Sequence, residues 1–193
     1  MRKIYIVILL LVCRFAFAGT QLEEELSLDM RLALQSSING SYLFGNNDMH
    51  ADQWVREVLP QILPRVKETA RAERLLHLIY YESTRAGLDP NLVLGVVAVE
   101  SGFKQYAISD KGARGLMQVM PFWSRIVKQP TSLFDPQVNL RFGCSILRLY
   151  LIQEKGDLTR SLKRYNGSLL LADDSYVRSV TALYHRYSDH AIR

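Results

Sequence analysis

The sequence predicts a mostly α-helical domain with at most a small β-hairpin, preceded by an N-terminal helical extension. Three observations carry this. Long stretches place apolar residues at i, i+3, i+4 and i+7, the spacing of one buried helix face. Asp89-Pro90 and Asp135-Pro136 each offer an N-cap followed by a proline at the first helical turn. Residues 104–120 carry the turn chemistry of a loop or small hairpin, with Ser109-Asp110-Lys111-Gly112 and then Gly115. No internal repeat or low-complexity segment breaks the pattern.

The first residues stand apart. Met1-Arg2-Lys3 is basic, residues 4–12 are apolar, and Ala16-Phe17-Ala18 supplies small residues ahead of a cut. Residues 1–18 therefore read as a signal peptide. The apolar run falls short of the roughly 20 residues a membrane-spanning helix needs, which disfavours an N-terminal anchor. A lipid anchor at Cys13 would need a small residue before it, and Val12 is a poor match. Cleavage after Ala18 removes Arg2, Lys3 and Arg14 and no acidic residue, so the formal charge falls from +5 to +2. So small a charge, with no concentrated Lys/Arg run, points away from nucleic acid. No later segment is apolar enough to form a stable membrane span.

Cys13 leaves with the signal, so Cys144 remains alone and no intramolecular disulfide can form. Within an apolar helical pattern, Cys144 reads as a small core residue rather than a reactive thiol. His50, His77, His185 and His190 are scattered without metal-ligand spacing, so no metal site is expected.

The elements follow in order. Residues 19–65 form the extension, or a linker. Residues 21–36 look helical, 36–41 and 45–48 look like loops, and residues 52–58 suggest a short helix that Pro60 and Pro64 interrupt. Trp54, Val55, Val58, Leu59, Ile62 and Leu63 favour packing over disorder. The main domain spans residues 66–193. Residues 66–86 read as one helix, with Leu75, Leu78, Ile79 and Glu82 at helical spacing and Gly87 as its stop. A helix over 91–101 ends at Gly102, and a short helical piece starts at Pro121. Residues 137–155 place Val138, Phe142, Ile146, Leu149 and Ile152 on one side, closed by Gly156. Asp157 caps a helix reaching Tyr165, Asn166-Gly167-Ser168 turns, and a last helix begins at Asp174 or Ser175.

Chemistry concentrates at Glu100. Val93, Val96, Val97 and Glu100 share one helix face, so a carboxylate closes an otherwise apolar stripe. Burial disfavours its charged form, and the negative end of the helix acts in the same direction. Those conditions suit a general acid near neutral pH. A surface Glu at a helix end, or a buried salt bridge, would give the same periodicity.

The surrounding residues narrow the choice. Glu100-Ser101-Gly102-Phe103, then Ala107-Ile108-Ser109, then residues 112–121 ending in Gly115-Leu116-Met117-Gln118 and Val119-Met120-Pro121, form an ordered set. Tyr165-Asn166-Gly167 and Tyr176-Val177 complete it. Together they resemble the lytic transglycosylases of the soluble-lytic-transglycosylase (SLT) type, over roughly residues 75–187. The resemblance implies a lysozyme-like α+β domain. It implies Glu100 as the single catalytic acid/base, with Ser101 supporting it and contacting a sugar acetamide. Gly115, Leu116, Met117 and Gln118 would line the sugar groove. Tyr165 would help position the glutamate, and Asn166 would brace the turn. Arg164 and Ser168 depart from the commonest pattern, Ala and Gly, and Arg164 is a candidate contact for an acidic peptide stem.

The implied substrate is the glycan strand of peptidoglycan, in the periplasm or outside the cell. Glu100 would protonate the oxygen between N-acetylmuramic acid and N-acetylglucosamine, then deprotonate the muramic C6 hydroxyl as a 1,6-anhydro ring closes. No cofactor is needed. A hydrolytic muramidase on the same fold would need a second carboxylate, for which Asp110 is the candidate. An inactive glycan-binding module of a secretion or conjugation apparatus is the third reading, and residues 19–65 are where such a partner would be met.

Overall fold

The computed structural model describes residues 21, 26–40, 48–128 and 132–189. The segment read as a signal peptide at 1–18, residues 41–47 of the loops read at 36–41 and 45–48, and His190 lie outside them. Eight helices are formed among the described residues: α1 Leu28–Asn39, α2 Met49–Val66, α3 Thr69–Arg85, α4 Pro90–Glu100, α5 Phe122–Ile126, α6 Pro136–Gln153, α7 Leu158–Asn166 and α8 Ser175–Ser188. The hairpin expected after α4 is reduced to two isolated antiparallel bridges, Ile108 with Arg114 and Arg114 with Val119.

Side-chain caps start most helices. Ser27 accepts from Met30 N, Asp48 from His50 N and Ala51 N, and Asp89 from Asn91 N. Asp135 accepts from Val138 N and Asp157 from Arg160 N. Each satisfies an amide that has no partner inside its own helix. The two Asp-Pro pairs thus open α4 and α6 as the sequence suggested.

Four expectations need correction. Of the helix read over 21–36, residues 22–25 lie outside the described residues, Leu26 and Ser27 precede the helix, and α1 runs from Leu28 through Ser36 and Ser37 to Asn39. Helix α2 is not broken by its prolines but runs 18 residues through both. Pro60 and Pro64 are four apart and both exposed, while Ala51, Trp54, Val55, Val58 and Ile62 are buried opposite them. The lost amide donors therefore concern carbonyls on the wet side, where water can replace them. Val66 closes α2 rather than opening α3, because Lys67 has φ 62° and ends the helix. On α6, Ile152 is 62% exposed, while residues 142–147 are all buried. That helix is enclosed nearly all round instead of carrying one apolar stripe.

Helix α4 is also enclosed, with Leu92, Val93, Leu94, Gly95, Val96, Val97 and Glu100 all buried. It packs most extensively on α8. The two run antiparallel, with Tyr176 against Glu100, Val180 against Gly95, and the Tyr184 hydroxyl donating to Asp89 Oδ2 at 2.9 Å. At the crossing, a Cβ on Gly95 would lie 3.1 Å from the Val180 carbonyl oxygen. The missing methyl is what lets α8 approach so closely.

The extension packs onto this core. Trp54 Nε1 donates to Asn91 Oδ1 at 2.8 Å, and Arg65 Nη1 donates to the Tyr187 hydroxyl at 3.3 Å. Helix α1 is joined to α3 and α6 through buried Glu82. Arg85 Nε contacts Glu82 Oε2 at 2.7 Å and Arg141 Nη2 contacts Oε1 at 3.0 Å. Arg85 also donates to the Ser37 carbonyl, and the Ser37 and Ser145 hydroxyls are 2.8 Å apart. Cys144 is fully buried, and burial pushes its thiol well above the usual range. A buried thiol so held is inert, as a core residue would be.

Candidate active site

Glu100 ends α4 and is 5% exposed. Its Oε1 accepts a 2.7 Å hydrogen bond from the hydroxyl of Tyr176, in the first turn of α8. Burial, and then the charge of Glu100, hold the Tyr176 phenol well above its ordinary pKa. Tyr176 thus stays a neutral donor to the carboxylate. The backbone turns sharply just after the glutamate: Gly102 and Phe103 have φ 57° and 68°. Phe103 is buried at 3%, and a non-glycine residue in this region costs about 1–2 kcal/mol that its packing must offset. Ser101 is 8% exposed and donates from Oγ to the Val97 carbonyl at 3.2 Å.

The loop over 107–120 is braced from three sides. Gln118, at φ 48°, turns its side chain inward so that Nε2 donates to the Gly115 carbonyl at 2.9 Å and the Ala107 carbonyl at 3.2 Å. From α6, Asn139 accepts from Met117 N at 2.8 Å and donates to the carbonyls of Arg114 and Leu133 at 2.8 and 2.7 Å. Gly115 makes room for this: a Cβ there would meet Asn139 Nδ2 at 2.4 Å and the Leu133 carbonyl at 2.5 Å. From α7, the Tyr165 hydroxyl donates to the Met117 carbonyl at 2.9 Å. Burial, and then Glu100's charge, raise the Tyr165 phenol well above its usual value.

The residues expected from sequence are therefore placed as follows. Glu100, Ser101, Gln118 and Tyr165 are all buried; Tyr165 feels the charge of Glu100 at the end of α4 and bonds Met117 of the loop that Gln118 braces. Leu116 and Met117 are 1% and 0% exposed and pack in the core, with Met117 seated in the gap over Gly143. Their side chains lie behind the loop rather than on its open face. Asn166 is half-buried at the end of α7, ahead of Gly167 in a left-handed cap. Arg164 is not available as expected, because its guanidinium donates to Glu154 at 2.6 and 2.8 Å. Asp110 is exposed at the hairpin turn.

Three contributors escaped the sequence reading. Tyr176 was visible only as a motif residue; its phenol hydrogen-bonds Glu100, while the Tyr165 hydroxyl bonds the Met117 carbonyl. Asn139 gave no local signal. Nor did Gln21, which is 2% exposed and accepts from Trp123 Nε1 at 2.7 Å and Met120 N at 3.2 Å. Among the described residues no group of His, Cys, Asp and Glu is placed to hold a metal ion, and no helix is long and apolar enough to cross a membrane.

Comparison with known proteins bears on this arrangement. The family model "Transglycosylase SLT domain" matches residues 77–174, about half of the chain. Membrane-bound lytic murein transglycosylase C of Histophilus somni strain 2336 is 32% identical over 170 residues, covering 82% of this chain and 44% of that protein. Its namesake in Haemophilus influenzae strain PittEE is 34% identical over 154 residues, covering 74% and 42%. A transglycosylase of Enterobacteria phage PRD1 is 39% identical over 85 residues, covering 44% and 31%. The chain thus spans less than half the length of these relatives. An inactive mutant of lytic transglycosylase Slt from Pseudomonas aeruginosa superimposes with a TM-score of 0.52 at 17% identity, over 90% of this chain and 38% of that one. That likeness establishes the shared fold.

Proposed function

The chain belongs to the transglycosylase SLT domain family, and from that membership we propose that it is a peptidoglycan lytic transglycosylase. The observation that carries the reading is a buried glutamate, fixed by a neutral phenol, at the end of α4 beside the Gly115–Gln118 loop. Glu100 gives its proton to the glycosidic oxygen as the bond from muramic C1 breaks. The substrate's own acetamide oxygen closes onto C1. The C6 hydroxyl then displaces it, returning a proton to Glu100 and forming the 1,6-anhydro ring. No water is consumed, and one side chain is acid and base in turn.

Ser101 and Gln118 are the polar groups we assign to the sugar groove, with Tyr165 supporting Glu100 and the loop from behind and Asn166 bracing the turn beside them. Gly115, Leu116 and Met117 shape its wall, the latter two from behind. Tyr176 joins them as the residue that orients Glu100. We place the mature protein in the cell envelope after loss of residues 1–18, where this substrate lies. Any contact with a secretion or conjugation apparatus falls to the extension, where Leu28 and Leu32 on α1 are 68% and 53% exposed.

Mass spectrometry of products from purified peptidoglycan tests the reaction. Anhydro-muropeptides are expected, and their loss in Glu100→Gln. Reducing muramic ends instead would overturn it in favour of hydrolysis, for which abolition of turnover by Asp110→Asn would be the companion sign.

A further inference from the structure

Beside the loop carrying Gly115–Gln118 lies a surface that the proposed reaction does not use. Tyr106 is 73% exposed and Ile108 is 64% exposed. The Tyr106 ring centroid stands 6.1 Å from that of half-buried Phe134, tilted by 46°. The Arg114 guanidinium lies over the same Phe134 ring, 5.8 Å from its centroid. Arg114 is exposed and makes no ion pair among the described residues.

The local backbone holds this patch in place. Gln105 Nε2 donates to the Phe134 carbonyl at 3.1 Å. Ile108 and Arg114 oppose each other across an antiparallel bridge, so their side chains share a face. Ala107, between Tyr106 and Ile108, accepts from Gly115 N at 2.9 Å and from Gln118 Nε2 at 3.2 Å. The patch therefore shares its backbone with the groove wall and keeps a fixed register to it.

Its chemistry specifies an occupant. Exposed aromatic and aliphatic surface suits the C–H face of a pyranose ring. A guanidinium with no ion pair among the described residues suits a carboxylate, which it can grip with two parallel hydrogen bonds. Within residues 104–114 Lys104, Lys111 and Arg114 are exposed with Asp110, and Asp135 is exposed beside Phe134, so Arg114 is the cation that the patch itself offers to an anion. A glycan strand bearing acidic peptide stems offers both halves at once. We propose that Tyr106, Ile108, Arg114 and Phe134 form an accessory subsite for a stem-bearing glycan strand, with the sugar on the rings and Arg114 pairing a stem carboxylate. The proposal rests on the peptidoglycan reading above. It also gives Arg114 the part that Arg164, held by Glu154, cannot play.

The test measures binding in a Glu100→Gln background, so turnover does not enter. Sacculi with intact stems are compared with the same sacculi stripped of stems by an amidase, in sedimentation assays. Both altered side chains are exposed, and circular dichroism verifies the fold. Arg114→Gln is expected to weaken binding to intact sacculi about tenfold, the scale of one charge-assisted hydrogen bond, and to narrow the intact-over-stripped ratio. Raising salt should narrow that ratio in the parent. Tyr106→Ala is expected to weaken binding to both. A preference for intact sacculi that survives Arg114→Gln overturns the carboxylate pairing, and full binding by Tyr106→Ala overturns the sugar platform. If the parent binds neither form, the peptidoglycan reading falls with the proposal, and the product analysis registers that failure separately.

Discussion

Glu82 and Glu100 are both nearly inaccessible, at 0% and 5% exposure, yet the groups facing them differ in kind. Glu82 lies between the guanidinium groups of Arg85 and Arg141, and this cluster joins α3 to α6 and, through Ser37, to α1. Glu100 takes a hydrogen bond from a phenol kept neutral by burial, at the junction of α4 and α8. A guanidinium stays charged at any accessible pH, so it offers its partner a permanent cation. A neutral hydroxyl orients a carboxylate without adding a compensating cation. Burial of a glutamate is therefore not itself a sign of catalysis: the two guanidinium groups on Glu82 make a structural joint, while the phenol on Glu100 is compatible with the proton exchange proposed for it.

That contrast can be broken by experiment. The largest effect is expected for Glu100→Gln, which should lower muropeptide release by about 10³-fold, within the usual range for a general acid/base, and leave the urea midpoint nearly unchanged. A matching loss of stability would erase the distinction drawn here. Glu82→Ala should do the reverse. Removing one partner of a buried ion cluster costs about 3–5 kcal/mol, read as a lower urea midpoint, while the folded fraction keeps its turnover. Turnover lost from fully folded protein would show that Glu82 serves the chemistry too.

Tyr176→Phe tests the hydroxyl. The loss of one buried hydrogen bond to a charged group, about 1.5–3 kcal/mol, should lower kcat roughly tenfold or more with KM little changed. An equal rise in KM would make Tyr176 a substrate contact instead of a positioning residue.

The smallest effect is a pH dependence. Tyr165 and Tyr176 are fully buried with raised pKa values, so the folded chain keeps two protons that the unfolded chain releases above about pH 10. Their contribution is complete below that pH and declines as pH rises toward the folded values, by at most about 1.4 kcal/mol per pH unit for each phenol. Urea titrations at alkaline pH should show a shallower decline in Tyr176→Phe. An unchanged slope would place the titration elsewhere.

How much of this was legible in sequence depends on how local each cause is. The starts of α4, α6 and α7 were readable because an aspartate cap acts within three residues. The burial of Glu100 was readable because Val93, Val96 and Val97 share its helix face. The path of α2 was not, since whether Pro60 and Pro64 break a helix depends on which side meets water, a property of the packed domain. The same holds for Ile152, which fits the periodicity of α6 but emerges at the surface. Asn139 and Gln21 act on residues 22 and about 100 positions away, so nothing beside them in the chain announces their partners. Tyr176 is intermediate: its motif was plain, but its partner lies 76 residues earlier and only the antiparallel α4–α8 pair brings them together.

Gly95 gives that pair a bearing on protein engineering. Replacing a mid-helix glycine by alanine is a common route to a more heat-resistant protein, since it adds roughly 1 kcal/mol of helix propensity. Here the added methyl would press on the Val180 carbonyl at 3.1 Å, one turn from Tyr176, and α8 would have to yield by a few tenths of an ångström. The stabilising substitution that a designer would try first on α4 is thus the one most directly coupled to the phenol that orients Glu100. Variants at Gly95 are therefore expected to need a turnover assay beside the melting temperature, since a shift of α8 would move the Tyr176 hydroxyl relative to Glu100.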